Sequence, residues 1–155
     1  MNSDIRTVVT FESTAFNTAD PKAYFINPSC FGDDVASWLI SELRKQGVKT
    51  DDKPDQEDFG WYLDFEISGI GHTFVLGHRP TSDSEPGTWI GWLERSRGFI
   101  GSLSGARKRG IHASAVEAIH EILSSSSQIR DVRWHFQHDF YKGLEERGVS
   151  LPQSP

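Results

Sequence analysis

The sequence contains almost no cysteine and no long apolar segment. Cys30 is the only cysteine among 155 residues, so neither an internal disulfide nor a zinc site built from several cysteines can form. No apolar run approaches the ~20 residues that span a bilayer, and the first residues lack the basic start and apolar middle of a signal peptide. We therefore expect a cytoplasmic protein without a membrane partner, in which Cys30 is a small buried hydrophobe.

The common local signatures of catalysis are also missing. The sequence has no G-x-S-x-G, no H-E-x-x-H and no G-x-x-x-x-G-K-[ST] segment, which are typical of serine hydrolases, zinc proteases and P-loop enzymes. Asp64 and Glu66 share a predicted strand face at about 7 Å, near the spacing of some acid/base pairs. Ordinary alternation on a wet sheet face explains that spacing equally well. The sequence therefore favours a protein that is not an enzyme and needs no cofactor.

The net charge of −6 is distributed unevenly along the chain. Residues 1–87 carry 15 acidic against 7 basic side chains, whereas residues 88–155 carry 7 acidic against 9 basic ones. An acidic surface repels phosphate and so disfavours nucleic acid, while its field accelerates association with basic proteins. We expect a basic protein to be a more suitable partner than nucleic acid.

Residues 59–68 have an especially clear strand pattern. Their apolar positions alternate with small or polar ones, and these apolar positions are Phe59, Trp61, Leu63, Phe65 and Ile67. A period of two places successive side chains on opposite sides of a sheet, which predicts an antiparallel strand with one wet face. We expect the apolar side to pack in the core with Trp38, Leu39, Val132 and Trp134.

The rest of the chain alternates between strand and helix patterns. Strands are predicted within residues 5–16, 72–80, 88–95 and 129–136, and helices within 31–47, 112–123 and 138–148. The order β-α-β-β-β-α-β-α predicts an α+β fold with a mainly antiparallel sheet of about five strands and helices packed on one face. Residues 1–150 are expected to form one globular domain, and residues 151–155 a frayed C-terminal end.

An acidic segment precedes the patterned strand. Residues 51–58 contain five carboxylates with only Lys53 between them, namely Asp51, Asp52, Asp55, Glu57 and Asp58. The segment lacks the ligand register of a calcium loop, so a protein-binding patch and a plain solvated turn are the main interpretations. For the first, the predicted binding residues are Asp55, Glu57, Asp58, Tyr62, Asp64 and Glu66.

Two other groups of residues suggest chemistry less specifically. The glycine-rich segment 98–110 contains Arg107, Lys108 and Arg109, which fits a basic hairpin that binds RNA or a partner, or a flexible solvated loop. His135 and His138 lie three residues apart beside Asp139, a spacing that could hold a metal only if all lay on one helix. A strand is predicted to end between the two histidines, so we expect no metal site.

The segment QEDFGWYLDFEI, with the two strands, the loop, the helix and the DVRWHF strand that follow, resembles small uncharacterised bacterial proteins. Some of these are similar to immunity proteins that neutralise toxins. The resemblance covers roughly residues 49–136. It implies a protein without enzymatic activity, with an acidic binding face and a toxin partner encoded nearby.

Two hypotheses about function follow from the sequence. The first is a non-catalytic protein-interaction domain, an immunity-like inhibitor that binds a basic protein such as a toxin through its acidic face. The alternative is a small enzyme or ligand-binding domain whose pocket lies between Tyr62, Trp89 and the histidines. A deep pocket with convergent polar groups would favour the second hypothesis, and a shallow acidic face the first.

Overall fold

A computed structural model describes residues 5–58, 60–81, 87–96 and 110–153. The elements, in chain order, are β1 (Val8–Glu12), α1 (Asp33–Lys45), β2 (Lys49–Thr50), β3 (Asp55–Glu57), β4 (Gly60–Ile67), β5 (Ile70–Arg79), β6 (Thr88–Arg95), α2 (Ala113–Ser125), β7 (Arg130–His135), α3 (Gln137–Tyr141) and a 3₁₀ helix (Glu145–Arg147). Among these elements no helix has the length and apolar character needed to cross a membrane. The α+β fold class predicted from the sequence is confirmed.

All seven strands join one antiparallel sheet. The strand order is β2-β4-β5-β6-β1-β7, and β3 also pairs with β4. Two strands, β2 and β3, are added to the predicted five; β3 lies within the acidic segment 51–58, and β2 comes directly before it. Each is very short and pairs with a different part of β4, so the hydrophobic pattern gave no signal for either.

The two faces of the sheet differ in what covers them. The side that we call the core face contacts α1 and α2, and β4 contributes Trp61, Leu63 and Phe65 to it, none more than 4% exposed. Leu39 and Trp134 are fully buried there, while Ile67, Trp38 and Val132 pack against the cluster from its edge. The predicted core is thus confirmed. The opposite side of the sheet, here called the outer face, carries Tyr62 and Asp64.

A tight turn sets the register between β4 and β5. Ile67 pairs with Ile70, so only two residues connect the strands. Both have positive φ, 54° for Ser68 and 75° for Gly69, which is the conformation of a type I′ turn and matches the twist of the strands. The short turn keeps Trp61, Leu63 and Phe65 on the core face for the whole length of β4.

A glycine makes room for a large aromatic side chain at the middle of the core face. A Cβ atom at Gly91 of β6 would lie 2.3 Å from the ring of Phe74, a distance that no side chain could tolerate. Phe74 on β5 is fully buried, so its ring occupies the space above the glycine. This close packing fixes β5 against β6 at the middle of the core face.

The two long helices lie close to their predicted ranges, although α2 continues to Ser125, two residues beyond its predicted end. Asp33 and Asp34 lie in the first turn of α1 and Arg44 and Lys45 in its last turn, where they complement the helix dipole. Gly47 follows with φ of 83°, the left-handed conformation that commonly ends a helix. At the other helix, α2, the side chain of His112 accepts a hydrogen bond from the backbone of Ser114.

The C-terminal segment returns to the outer face. The ring of Phe140 lies 5.3 Å from that of His135, whereas Tyr141 is 68% exposed. The last described residues, expected to be frayed, are paired with the start of the chain. The backbone N–H of Arg6 donates to the carbonyl of Pro152 at 2.9 Å, and Ile5 bridges Gln153.

Candidate functional site

Strand pairing brings most of the predicted acidic residues onto the outer face. In the register of β3 with β4, Asp55 lies opposite Tyr62 and Glu57 opposite Gly60. Alternation then places Asp64 and Glu66 on the same side of β4 as Tyr62. We call the predicted set Asp55, Glu57, Asp58, Tyr62, Asp64 and Glu66 the acidic patch. Its residues are neighbours because β3 folds back on β4.

Two carboxylates of the acidic patch interact with other side chains, and three interact with no described residue. The carboxylate of Asp64 accepts a hydrogen bond from the hydroxyl of Thr73 on β5. Glu66 faces the ammonium group of Lys49 at 3.9 Å. Asp55, Glu57 and Asp58 are exposed, and their carboxylates make no hydrogen bond or ion pair to any described residue. The three at the β3–β4 turn are therefore the ones available to a partner.

Asp51 is hydrogen-bonded to the backbone of Asp64, a residue of the acidic patch. Its carboxylate accepts a hydrogen bond from the backbone N–H of Asp64 at 3.1 Å, and its own N–H donates to the carbonyl of Asp64 at the same distance. Burial raises the pKa of Asp51, and the nearby charges of Asp64, Asp55 and Asp52 raise it further. This carboxylate therefore has a structural role, although the sequence grouped it with the exposed acids.

The electrostatics of Tyr62 show how close the charges lie. Partial burial raises the pKa of its phenol first, and the carboxylates of Asp55, Glu57 and Asp64 raise it further. Each carboxylate raises the pKa by repelling the phenolate, and this repulsion falls off with distance. Tyr62 thus lies inside the negative field of the acidic patch as a neutral aromatic side chain with a hydroxyl donor.

Two exposed apolar residues lie on the loop that precedes α1. Tyr24 and Ile26 are 64% and 69% exposed, and the loop that carries them is attached to β3 through the buried side chain of Gln56. The amide of Gln56 accepts from the backbone N–H of Ile26 at 2.5 Å and donates to the carbonyl of Asn27 at 3.1 Å. Gln56 stands between two acids in the sequence, and its own alternation could have indicated that it points inward.

The pocket of the alternative hypothesis does not form as predicted. Trp89 is fully buried on the core face, on the opposite side of the sheet from Tyr62. His72 is also fully buried, and the ring of His78 packs against Trp89 at 4.7 Å. The aromatic residue that β6 presents to the outer face is Trp92 instead. No cavity can therefore lie between Tyr62 and Trp89.

A different polar pocket opens on the outer face, near β1 and β7. We call it the His135 pocket. It has a volume of about 130 Å³ and is lined by Thr10, Phe11, Glu12, Arg79, Thr88, Asp131, Arg133, His135 and Glu145. Sequence reasoning missed this group because its members come from five separate segments, and no spacing rule connects them.

A buried histidine forms part of the wall of the His135 pocket. His135 is 2% exposed and Thr10 7%, and the Nε2 atom of His135 lies 2.9 Å from the hydroxyl oxygen of Thr10. Within the part of the chain that the structure describes, its Nδ1 atom has no hydrogen-bond partner. A Cβ atom at Gly148 would lie 2.4 Å from the ring, so the C-terminal backbone packs directly on the imidazole. Burial is the main reason that the pKa of His135 is lowered.

Two ion pairs frame the same pocket. Arg79 at the end of β5 makes two parallel hydrogen bonds to Glu145 of the 3₁₀ helix, at 2.7 and 3.0 Å. Arg133 of β7 donates from Nε to Asp131 at 3.0 Å. The first pair holds the C-terminal segment against the sheet and lowers the pKa of Glu145 through its hydrogen bond to the guanidinium.

The remaining candidates have simpler surroundings. His138 lies beside Asp139 at 3.2 Å on α3, away from the Thr10 hydroxyl that His135 contacts. No three metal-ligating side chains cluster within the described ranges.

Cys30 is half-buried, and burial raises the pKa of its thiol, which makes it a poor nucleophile. The predicted basic residues Arg107, Lys108 and Arg109 lie outside the described residues.

A groove of about 500 Å³ also runs along α1, between Ser37, Ser41, Lys45 and Asp52. Its charged groups are already paired, since Arg44 contacts Asp52 at 3.0 Å and Lys45 contacts Glu42 at 2.9 Å. The groove therefore offers no convergent set of free polar groups.

Comparisons of the chain with protein families, with curated proteins and with solved structures found no match.

Proposed function

We propose that this chain is a non-catalytic protein-binding domain, an immunity-like inhibitor, whose acidic patch binds a basic partner such as a toxin. The observation that carries the proposal is the group Asp55, Glu57 and Asp58, three exposed carboxylates on β3 and the turn after it that bond to no described residue. The sheet already holds the backbone that carries these carboxylates, so binding costs little backbone entropy. Their electrostatic field attracts a basic surface.

The surroundings of the acidic patch supply a second kind of contact. Tyr62 lies among the carboxylates, and the loop that carries the exposed side chains of Tyr24 and Ile26 is attached to β3 through Gln56. Tyrosine is frequent among the residues that dominate binding energy, because it combines a large apolar surface with a hydroxyl group. A partner with basic residues around an apolar contact would therefore match this surface.

The proposal is tested by reversing charge where no fold contact depends on it. The chain is immobilised, partners are captured from the source organism at low salt, and association rates of the captured protein are then measured. The triple variant Asp55→Lys, Glu57→Lys, Asp58→Lys is compared with the wild type. We expect association at least about tenfold slower at low salt, and a smaller difference at high salt, where screening weakens both interactions.

A matched control separates the acidic patch from net charge. The variant Asp20→Lys, Glu117→Lys, Glu121→Lys changes the total charge equally at three exposed positions outside the acidic patch. It should associate with the partner nearly as fast as the wild type. If both triple variants slow association equally, or if the first leaves the rate unchanged, the acidic patch is not the binding surface.

A further inference from the structure

The His135 pocket contains polar groups that the fold itself does not use. The Nδ1 atom of His135 is buried and has no hydrogen-bond partner among the described residues, and a buried polar atom in that condition costs free energy unless something else satisfies it. Glu12 lines the same pocket, and its carboxylate has no ion pair or hydrogen bond to any residue that the structure describes. Arg79 and Arg133 each have N–H groups beyond those bonded to Glu145 and Asp131.

The charges that line the pocket restrict the class of ligand. Each guanidinium is already neutralised by one carboxylate, Arg79 by Glu145 and Arg133 by Asp131, so a simple anion would meet no net positive field. A simple cation could pair with Glu12 but would leave the remaining N–H groups of both guanidiniums without an acceptor. A neutral molecule with separate positive and negative ends satisfies Glu12 and both guanidiniums at once.

We propose that the His135 pocket binds a small zwitterion of the α-amino acid class. The free N–H donors of Arg133 and Arg79 bind its carboxylate, since a guanidinium matches the two oxygens of a carboxylate geometrically. The carboxylate of Glu12 accepts hydrogen bonds from its ammonium group. The hydroxyl of Thr88 provides a further donor or acceptor. Thr88 pairs with Arg79 of β5, and its strand β6 lies next to β1.

The size of the pocket limits the side chain of such a ligand. Its volume of about 130 Å³ corresponds to about four water molecules at ~30 Å³ each. Drug-sized ligands occupy pockets of about 300–1,000 Å³. Only small amino acids such as glycine, alanine and serine fit, and their polar backbone groups then account for most of the contacts.

This proposal is independent of the protein-binding function. In the sheet, β5 and β6 lie between β4, which carries the acidic patch, and β1. Arg79 lies on β5, next to β4, but no residue that lines the His135 pocket belongs to the acidic patch. Each proposal can therefore fail without the other.

The test measures binding of glycine, alanine and serine to the purified full chain by thermal shift and calorimetry. A ligand that binds only the folded state raises the melting temperature by mass action. Propionate and ethylamine serve as ligand controls, because each has only one of the two charged ends. We expect the amino acid that fits best to bind at least about tenfold more tightly than either control, since each control loses a charge-assisted hydrogen bond.

Variants then locate the site. Glu12→Gln removes the charge of a side chain on which no fold contact depends, and it should weaken amino acid binding about tenfold. Arg133→Gln should weaken binding as well, whereas Glu117→Gln, an exposed change on α2, should have no effect. Three results would overturn the proposal: no binding by any of the three amino acids, equal binding of propionate or ethylamine, or unchanged affinity in Glu12→Gln.

Discussion

The Nε2 atom of His72 accepts a hydrogen bond of 3.1 Å from the backbone N–H of His112, the residue that caps α2. The Nδ1 atom of the same ring lies 3.2 Å from the carbonyl oxygen of Ile70. A carbonyl can only accept, so the proton is assigned to Nδ1 and Nε2 must stay unprotonated. The ring is fully buried, and this one neutral tautomer connects the start of β5 to the start of α2.

Protonation of His72 should couple stability to pH. Burial is the main cause that lowers the pKa of His72 from 6.5 to about 4. Between these values the unfolded state binds a proton that the folded state does not, so the free energy of unfolding falls as pH falls. We expect a loss of up to about 3 kcal/mol from this residue between pH 7 and pH 4, measured by urea denaturation. His135, whose pKa is also lowered, adds a loss of the same sign.

The variant His72→Gln isolates this contribution. It is less stable than the wild type at neutral pH because the hydrogen bonds of the imidazole are changed, but its stability should vary less with pH. The carboxylates with raised pKa values, Asp34 and Asp51, act in the opposite direction and are present in both proteins. Equal pH slopes in the wild type and the variant would show that His72 is not responsible.

Trp61 should be among the residues most important for stability. It is 4% exposed, its ring lies 5.1 Å from that of Phe25, and its Nε1 donates to the carbonyl of Cys30 at 2.9 Å. Trp61→Ala would leave a cavity and should reduce the free energy of unfolding by about 3–5 kcal/mol. The exposed neighbour Tyr24 is a suitable control, since Tyr24→Ala should cost about 1 kcal/mol or less. A loss of less than about 1 kcal/mol for Trp61→Ala would contradict its role in the core.

The sequence predicted the elements that depend on a local pattern. Alternation along β4 identified both faces of the strand correctly, and the charges and glycine around α1 identified that helix. These predictions succeeded because a period of two or 3.6 residues records which side of an element is buried. Neither β2 nor β3 has enough residues to show a period, so neither was predicted as a strand.

The candidate sites were predictable only in part. Asp55, Glu57 and Tyr62 could be grouped in advance because they are close in the sequence, although the separate structural role of Asp51 could not. The His135 pocket had no signal of this kind. Thr10 and His135 are 125 residues apart, and strand order alone brings them together.

The β4–β5 turn contains a residue that can be improved. Ser68 has φ of 54°, where most side chains meet steric strain and asparagine is tolerated better. Ser68→Asn should therefore raise the free energy of unfolding by about 0.5 kcal/mol, and Ser68→Val should lower it by about 1–2 kcal/mol. Thermal and chemical denaturation check both values. If the valine variant were as stable as the asparagine variant, the turn would not require positive φ at this position.

Divalent metals should not stabilise the protein. The acidic segment has no ligand register for calcium, and His135 and His138 have separate partners, Thr10 and Asp139. A metal that bound the folded state would raise the melting temperature in proportion to its concentration and affinity. We expect no change with micromolar zinc, calcium or manganese. A rise that a chelator reverses would show that a metal site exists after all.

Removing charge from the acidic patch should lower the pKa of Tyr62. The carboxylates of Asp55 and Glu57 help to raise that pKa by repelling the phenolate, so Asp55→Asn with Glu57→Gln removes part of the cause. Titration of tyrosinate absorbance measures the effect in a Tyr24→Phe, Tyr141→Phe background, which leaves Tyr62 as the only tyrosine.

The same double substitution should leave stability unchanged or slightly higher, within about 0.5 kcal/mol, because it relieves repulsion and breaks no contact. Its charge-matched control, Glu117→Gln with Glu121→Gln on α2, should not change the pKa of Tyr62. A protein selected only for stability gains nothing from like charges placed side by side, whereas a binding surface uses them when the partner arrives. A marked loss of stability in the double variant would instead show that these carboxylates support the fold, and would remove the main argument for their role in binding.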